Sequence, residues 1–486
     1  MSGARTLTTR ADSPDSLLSV DGSSPDVLTL TVLWSREEPA RVGAVTCVPR
    51  GGGAPWVLGR AGGDGPRRLS WVRQRPGGDE DLGELQSPRV SREHLRLRAD
   101  GQGLALEAVG HRAVKVNTRA VSRARVLPGD LVEIDRELLL LCERRPARLP
   151  PASAAHPFGS PDADGLVGES VAAWDLRRQL AFCAATSGHV LVRGESGAGK
   201  ELVARALHRL GGAGGSLVAR NAATFPEGLL DAELFGNLRG YPNPGMPARP
   251  GAIGEADGGT LFLDEIGEIS HAMQAHLLRV LDQGEYQRLG EARARVARFR
   301  LIGATNRPPE SLKHDFLARF SQTILVPGLN LRRADIPLIA RHLLVRFGQQ
   351  TPGLFEGAPP RLHPRLVQRL VLHPWGTHVR ELGQLLWRAL QQWTLKGGGK
   401  YLDLKEEPAS PAAAPQPAPP PARPDPAAVT REEILAAYRR FGGVQARVPA
   451  HLGLRDRFQL RRLEEKLGIT PADKEAALAD GSSKGG

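Results

Sequence analysis

Residues 194 to 201 read Gly-Glu-Ser-Gly-Ala-Gly-Lys-Glu, and about sixty residues later Thr260 to Glu265 read Thr-Leu-Phe-Leu-Asp-Glu. These residue types at this spacing suit the binding and cleavage of a nucleoside triphosphate. An apolar run (Val190, Leu191, Val192) precedes the glycines and an amphipathic one (Leu202, Val203, Ala206, Leu207) follows them, which predicts strand, loop, helix. In that order Gly194, Glu195, Ser196, Gly197, Ala198, Gly199, Lys200 and Glu201 form a phosphate cradle. The backbone amides of Gly197, Gly199 and Lys200 point at phosphates from the positive end of a helix, and the Lys200 ammonium adds a full charge. The second stretch predicts a buried strand ending in two acids, Asp264 to hold Mg²⁺ and Glu265 to polarise an attacking water. A glycine-rich loop alone also fits a structural turn; the acid-ended strand argues for ATP.

Several elements must position these groups. From Gly165 to about Tyr401, strand-like runs (Leu217 to Ala219, Leu261 to Leu263, Leu301 to Ala304, Ile324 to Val326) alternate with helical periodicity, so a parallel sheet covered by helices is expected. We expect the α/β core over 165–330 and a helical lid over 331–402. Residues 27–145 carry short alternating apolar runs, among them Val27 to Leu33, Leu95 to Leu97 and Leu138 to Leu141, which predict an all-β sandwich. A disordered N-terminus (1–26), a Pro/Ala linker (146–164), a second Pro/Ala tether (403–429), a small all-α domain (430–470) and a flexible tail (471–486) complete the reading. At 486 residues the chain has room for about three domains. Its net charge of +12 favours polyanionic partners such as nucleic acid. Cys47, Cys142 and Cys183 are too far apart for a zinc site or disulfide framework, which predicts a reducing, cytoplasmic setting. No apolar run reaches the ~20 residues needed to span a bilayer, so no membrane partner is expected.

Residues 165 to 395 resemble the AAA+ domain of bacterial enhancer-binding proteins, the activators that remodel RNA polymerase carrying sigma-54. The resemblance rests on Gly194 to Glu201, Leu229 to Gly236, Gly258 to Glu268, Gly303 to Asn306 and Val379 to Leu382. It implies an ATPase that works as a homo-oligomeric ring, its site completed by a neighbour. By that likeness Asn221 is the switch that pairs with Glu265, Thr305 and Asn306 are the first sensor, and Arg380 is the second. Arg319 and Lys313 would reach the next subunit's γ-phosphate, with Lys313 lacking the planar fork of an arginine. The chain departs from the family at the loop whose Phe and Thr contact sigma-54: it reads Gly240-Tyr241-Pro242-Asn243-Pro244-Gly245. Two prolines stiffen a loop expected to move with nucleotide state.

The sandwich resembles a forkhead-associated domain, a phosphothreonine reader, through Val57 to Arg60, Ser91 to His94 and Leu127 to Ile134. That likeness makes Arg60, Ser91 and Arg92 the phosphopeptide residues and His94 a scaffold for their loop. The family's peptide-orienting Asn is absent from Gly110 to Val116, although Asn117 lies nearby. Residues 431–469 resemble a Fis-type helix-turn-helix, with Val444, Val448 and Leu452 facing Leu460, Leu463 and Leu467. From Arg439 to Arg462 seven arginines stand against one acid, 7 − 1 = +6, and Arg455, Arg457, Arg461 and Arg462 are the candidate DNA contacts. Pro449 inside the first helix departs from the pattern. Together these readings predict a cytoplasmic, ATP- and Mg²⁺-dependent transcriptional regulator, gated through its sandwich and bound to enhancer-like DNA. Two rivals stay open: a DNA-binding regulator or non-activating ring subunit that does not engage sigma-54, and a scaffold in which ATP only fixes shape.

Overall fold

The run Leu138-Leu139-Leu140-Leu141-Cys142 is uninterrupted, and a strand that is apolar on both faces must be covered on both. In the computed structural model it is. The structure describes residues 25–404, apart from 52, 63–64, 66, 154–155, 225–226 and 242, and, further on, 430–441, 452, 457–470 and 473. The chain divides into two units, Met1–Leu404 and Lys405–Gly486.

The first unit opens with twelve strands: β1 Asp26–Ser35, β2 Val45–Val48, β3 Trp56–Leu58, β4 Trp71–Arg73, β5 Glu80–Gly83, β6 Leu95–Ala99, β7 Leu104–Ala108, β8 Val114–Val116, β9 Arg119–Val121, β10 Arg123–Val126, β11 Leu131–Ile134 and β12 Leu138–Pro146. They form two antiparallel sheets, β5-β4-β2-β1-β12-β11-β8-β9 and β10-β7-β6-β3. Leu28, Leu30, Val32, Leu138, Leu140 and Cys142 face inward, between the sheets. Alternation sends Leu139 and Leu141 to the opposite face. There, with Leu33 and Trp34, they join a second core built from the lid. A register shift between Val32 and Trp34 lets Leu33 and Trp34 reach that outer core.

The α/β core follows as α1 Val171–Ala184, β13 His189–Arg193, α2 Lys200–Leu210, β14 Leu217–Asn221, α3 Glu227–Phe235, α4 Ala252–Glu255, β15 Thr260–Asp264, α5 His271–Gln283, the short pair β16 Glu285–Tyr286 and β17 Arg295–Val296, β18 Arg300–Thr305, α6 His314–Leu317 and β19 Phe320–Leu325. The five long strands are parallel, in the order β14-β15-β18-β13-β19. Ser170 caps α1 by accepting the Ala173 amide, and Ser270 caps α5 in the same way from Met273. The lid holds α7 Ile336–Gln350, β20 Arg361–Leu362, α8 Pro364–Leu372, α9 His378–Leu395 and β21 Tyr401–Leu402. Sandwich and lid are joined by polar contacts as well. The Trp34 indole donates to the Leu362 carbonyl at 2.8 Å, and Arg361 donates to the carbonyls of Ser35 and Arg36 at 3.1 and 2.8 Å.

The stretch 146–164, expected to be a linker, is packed where it is described. His156 stacks on Trp174 with ring centroids 5.5 Å apart, and Phe158 lies under the guanidinium groups of Arg73 and Arg75. The Gly159 amide donates to Glu169 at 2.7 Å. Composition alone suggested a tether, but aromatic and cationic partners far away in sequence fix the segment.

In the second unit, α10 Arg431–Phe441 and α11 Arg457–Lys466 share a small core of Ile434, Ala437, Tyr438, Leu452, Leu460 and Ile469. Tyr438 donates to Glu464 at 2.7 Å. Val444, Val448, Pro449 and Arg455 lie outside the described residues.

Candidate nucleotide site

The cradle forms at the C-terminal edge of the parallel sheet, where β13 runs into a loop and then α2. Gly197 (φ 75°) and Gly199 (φ 109°) take left-handed backbone that side chains rarely adopt, and Gly199 is the N-cap of α2. The Gly194 amide donates to the Thr305 carbonyl at 3.2 Å, which ties the loop to the end of β18. Lys200 folds back on its own loop, its Nζ donating to the carbonyls of Gly194 and Glu195 at 2.9 and 3.2 Å. Burial holds its pKa below the usual lysine value, against the pull of Asp264 and Glu265.

Lys200, Asp264, Glu265 and Arg380 line one cavity of about 290 Å³ together with Ser196 to Glu201. Asp264 ends β15 and accepts the Glu265 amide at 2.9 Å. Glu265 itself sits at φ 54°, ψ 40°, left-handed for a residue with a side chain. Arg380, from α9, donates to the Ser196 hydroxyl at 3.0 Å, so the lid arginine meets the cradle directly. Asp264 and Glu265 are carboxylate donors of the hard-oxygen type that suits Mg²⁺ beside triphosphate oxygens.

Other expected residues fall differently. Asn221 is in register with Asp264, but its side-chain oxygen accepts the Ala223 amide at 2.9 Å, and among the described residues it makes no hydrogen bond to Glu265. The expected switch pair is therefore not formed; the short turn after β14 holds the amide instead. Thr305 is buried and its hydroxyl accepts the Arg307 amide, while the neighbouring Asn306 is exposed. Glu201 pairs with Arg205 one turn along α2 at 2.6 Å. Arg319 is paired within its own subunit to Asp282, and Lys313 precedes α6 with its amide donating to Gln274 at 2.8 Å.

Sequence reasoning missed part of the pocket. Leu166, Val167, Leu176, Ile339 and Leu343 give it an apolar wall from α1, α7 and the segment before α1. Arg332, 6% exposed, adds a buried cation whose Nη2 donates to the Ala198 carbonyl at 3.3 Å. No motif marks these residues in the sequence.

The sandwich brings Arg60, Ser91 and Arg92 together. The Arg60 amide donates to the Ser91 carbonyl at 3.0 Å, and Arg68 donates to the carbonyls of both Arg60 and Arg92, at 2.7 and 3.0 Å. His94 is fully buried and accepts the Ser91 amide at 3.1 Å, a scaffold role. Asn117 sits at φ 47° in the β8–β9 turn, donating to Asp130 and accepting from Leu131, which commits its amide to the turn. The loop that departs from the family is held at its base. Buried Asn237 donates to the carbonyls of Leu238 and Pro247, both at 2.9 Å, and the Gly240 amide donates to Met246. Tyr241 is half-exposed and packs on Gly290. Of the expected DNA contacts, Arg461 and Arg462 are exposed on α11, and Arg457 lies on the same helix. Among the described residues no helix is long and apolar enough to cross a membrane.

The fold and the cradle define a P-loop protein of the AAA+ class with a helical lid. Residues 166–323 match the model of the Sigma-54 interaction domain. The chain is 37% identical over 328 residues to the transcriptional regulatory protein ZraR of Salmonella typhimurium, a match spanning 65% of this chain and 70% of the relative. It is 38% identical over 279 residues to the Nif-specific regulatory protein of Azotobacter vinelandii, covering 55% and 52%. NtrX of Brucella abortus, solved in complex with ADP, aligns over 63% of this chain and 70% of its own with 29% identity and a TM-score of 0.47. The chain belongs to the family of sigma-54-interacting transcriptional regulators.

Proposed function

We propose that the protein is an ATP-dependent transcriptional regulator whose AAA+ domain hydrolyses ATP with Mg²⁺ in a ring of identical subunits. The observation that carries this reading is the convergence of Lys200, Asp264, Glu265 and Arg380 on one cavity. The loop amides and Lys200 bind the phosphates, Asp264 would hold the metal, and Glu265 accepts a proton from the water it orients. Bound Mg²⁺ would neutralise charge on the β- and γ-oxygens. The apolar wall from Leu166 to Leu343 suits a purine base. Arg380 in cis, and Arg319 and Lys313 from the neighbour, stabilise charge that develops on the γ-phosphate. Arg319 must exchange Asp282 for the neighbour's phosphate on assembly. The remaining parts of the reading are input through a phosphothreonine partner at Arg60, Ser91 and Arg92, output through α10 and α11 on DNA, with Arg455, Arg457, Arg461 and Arg462 as phosphate contacts, and a cytoplasmic setting.

Steady phosphate release by the wild type that disappears in Lys200→Ala and Glu265→Gln tests the reading; a wild type inactive at millimolar Mg²⁺ refutes it. A second reading, hydrolysis without sigma-54 engagement, is favoured by the loop at 240–245, whose prolines and missing Phe-Thr pair alter the contact chemistry. Trapping the protein with a transition-state analogue of ATP separates the two: co-migration with sigma-54 supports the first, and normal hydrolysis without a complex supports the second.

A further inference from the structure

His378 opens α9, is 1% exposed and holds φ 46°, a backbone that a residue with a side chain keeps only under constraint. Its ring is engaged on two sides. Nδ1 accepts the Leu329 amide at 3.2 Å, in the segment that leads from β19 into the lid. With Nδ1 accepting, Nε2 carries the proton and donates to the Glu195 carboxylate of the phosphate loop at 2.7 Å. The fit is tight as well as polar. A β-carbon on Gly328 would stand 2.4 Å from the imidazole, and one on Gly197 would stand 2.2 Å from the Thr377 carbonyl. The Val379 amide donates to the Gly197 carbonyl at 3.1 Å, and one residue further Arg380 reaches Ser196. One imidazole thus joins the cradle, the hinge and the start of the helix that carries the lid arginine. Packing alone does not account for it, because the Glu195 side chain is 70% exposed and free to turn to water.

We propose that His378 is a positioning residue that couples the phosphate loop to the lid, so that Arg380 is held against the γ-phosphate only when Glu195 is in place. The proposal rests on the ATPase reading and adds a residue that acts through Glu195 and Leu329 without touching nucleotide. Phosphates entering the cradle draw Lys200 Nζ away from the carbonyls of Gly194 and Glu195 and so shift the loop that carries Glu195. His378 passes that shift to the hinge amide of Leu329. The lid then closes in step with the loop.

The test uses the full chain as His378→Ala, His378→Asn, Glu195→Ala and the Glu195→Ala/His378→Ala double variant. Asn tolerates the left-handed backbone and keeps one donor and one acceptor. Affinities for ADP and for a non-hydrolysable ATP analogue are read by fluorescent-nucleotide titration, alongside kcat and KM. We expect the preference for the ATP analogue over ADP to fall about tenfold in His378→Ala and Glu195→Ala. The double variant should be no worse than the worse single, and His378→Asn should recover part of the loss. An unchanged preference in both single variants, or effects that multiply in the double, overturns the proposal. Should His378→Ala fail to fold, Glu195→Ala, changed at an exposed side chain, decides alone. Because the preference is a binding ratio, a wild type that binds both nucleotides and hydrolyses neither sinks the ATPase reading while leaving the coupling readable.

Discussion

Replacing Trp34 tests whether sandwich and lid are one body. Its side chain is 7% exposed, packs among lid residues of the shared core, and donates its indole N–H to the buried Leu362 carbonyl. Truncating a buried Trp to Ala costs about 3–5 kcal/mol in lost burial and cavity. Losing the donor to a buried carbonyl falls within that range as about 1 kcal/mol, which Trp34→Phe isolates. At about 1.4 kcal/mol per decade, a cost near 4 kcal/mol raises the opening constant of the shared core about a thousandfold. Hydrogen exchange read by mass spectrometry is the assay. If β12 and the lid helices α7 and α8 open together, Trp34→Ala accelerates exchange in all three by similar factors, and Trp34→Phe by roughly tenfold or less. Loss of protection in the sandwich alone, with α8 exchanging as in wild type, would refute the claim that the two share a core.

Three further outcomes follow from single contacts. The depressed pKa of Lys200 means that the free protein begins to lose this cation below the usual lysine range as pH rises, whereas bound phosphates favour the ammonium. ATP affinity should therefore be full at neutral pH and decline as pH rises through the depressed value. Binding should take up protons in that alkaline window, measured by calorimetry in buffers of different ionisation enthalpy; a decline only above the ordinary value contradicts it. Gly197→Ala combines a φ of 75° with a β-carbon 2.2 Å from the Thr377 carbonyl, so about 1–3 kcal/mol of strain should appear as nucleotide affinity weakened about tenfold or more; equal affinity would show that the loop and lid give way freely. Asn237→Ala removes two donor contacts at a fully buried site and should cost about 1–3 kcal/mol locally. Faster tryptic cleavage at Arg239, which precedes Gly240, is the readout, and wild-type cleavage rates count against the anchor.

Much of this was legible from local pattern. Strand, loop, helix and the acid-ended strand each obey short-range rules, so Gly197, Lys200, Asp264 and Glu265 could be assigned from the chain alone. The inward face of the sandwich also follows its alternation, as Leu28, Leu30 and Val32 illustrate. Less visible was what depends on distant partners. Phe158 sits in a Pro/Ala-rich stretch, and only the folded chain brings Arg73 and Arg75 over its ring. Leu139 and Leu141 carried a readable sign, because five consecutive apolar residues imply two covered faces, but nothing in β12 says that the second cover is the lid. His378 gave no sign: one histidine near Arg380 reads the same whether it packs or couples. Asn221 is a different case: likeness to a family pairs it with Glu265, while here its side-chain oxygen accepts the Ala223 amide in the local turn.

The backbone at Glu265 has a consequence of its own. Left-handed geometry costs an ordinary residue about 1–2 kcal/mol, a penalty that glycine escapes and asparagine partly does. On the proposed chemistry, the carboxylate is kept where the local conformation would sooner do without it. Substitutions to Gly or Asn there should leave subunits that fold well, hold nucleotide and cleave nothing. In the proposed ring, such well-made but silent subunits would still assemble and stall their neighbours, so inactivating changes at this one position would be harmful in mixture with intact copies, where unfolding mutations elsewhere would merely be lost.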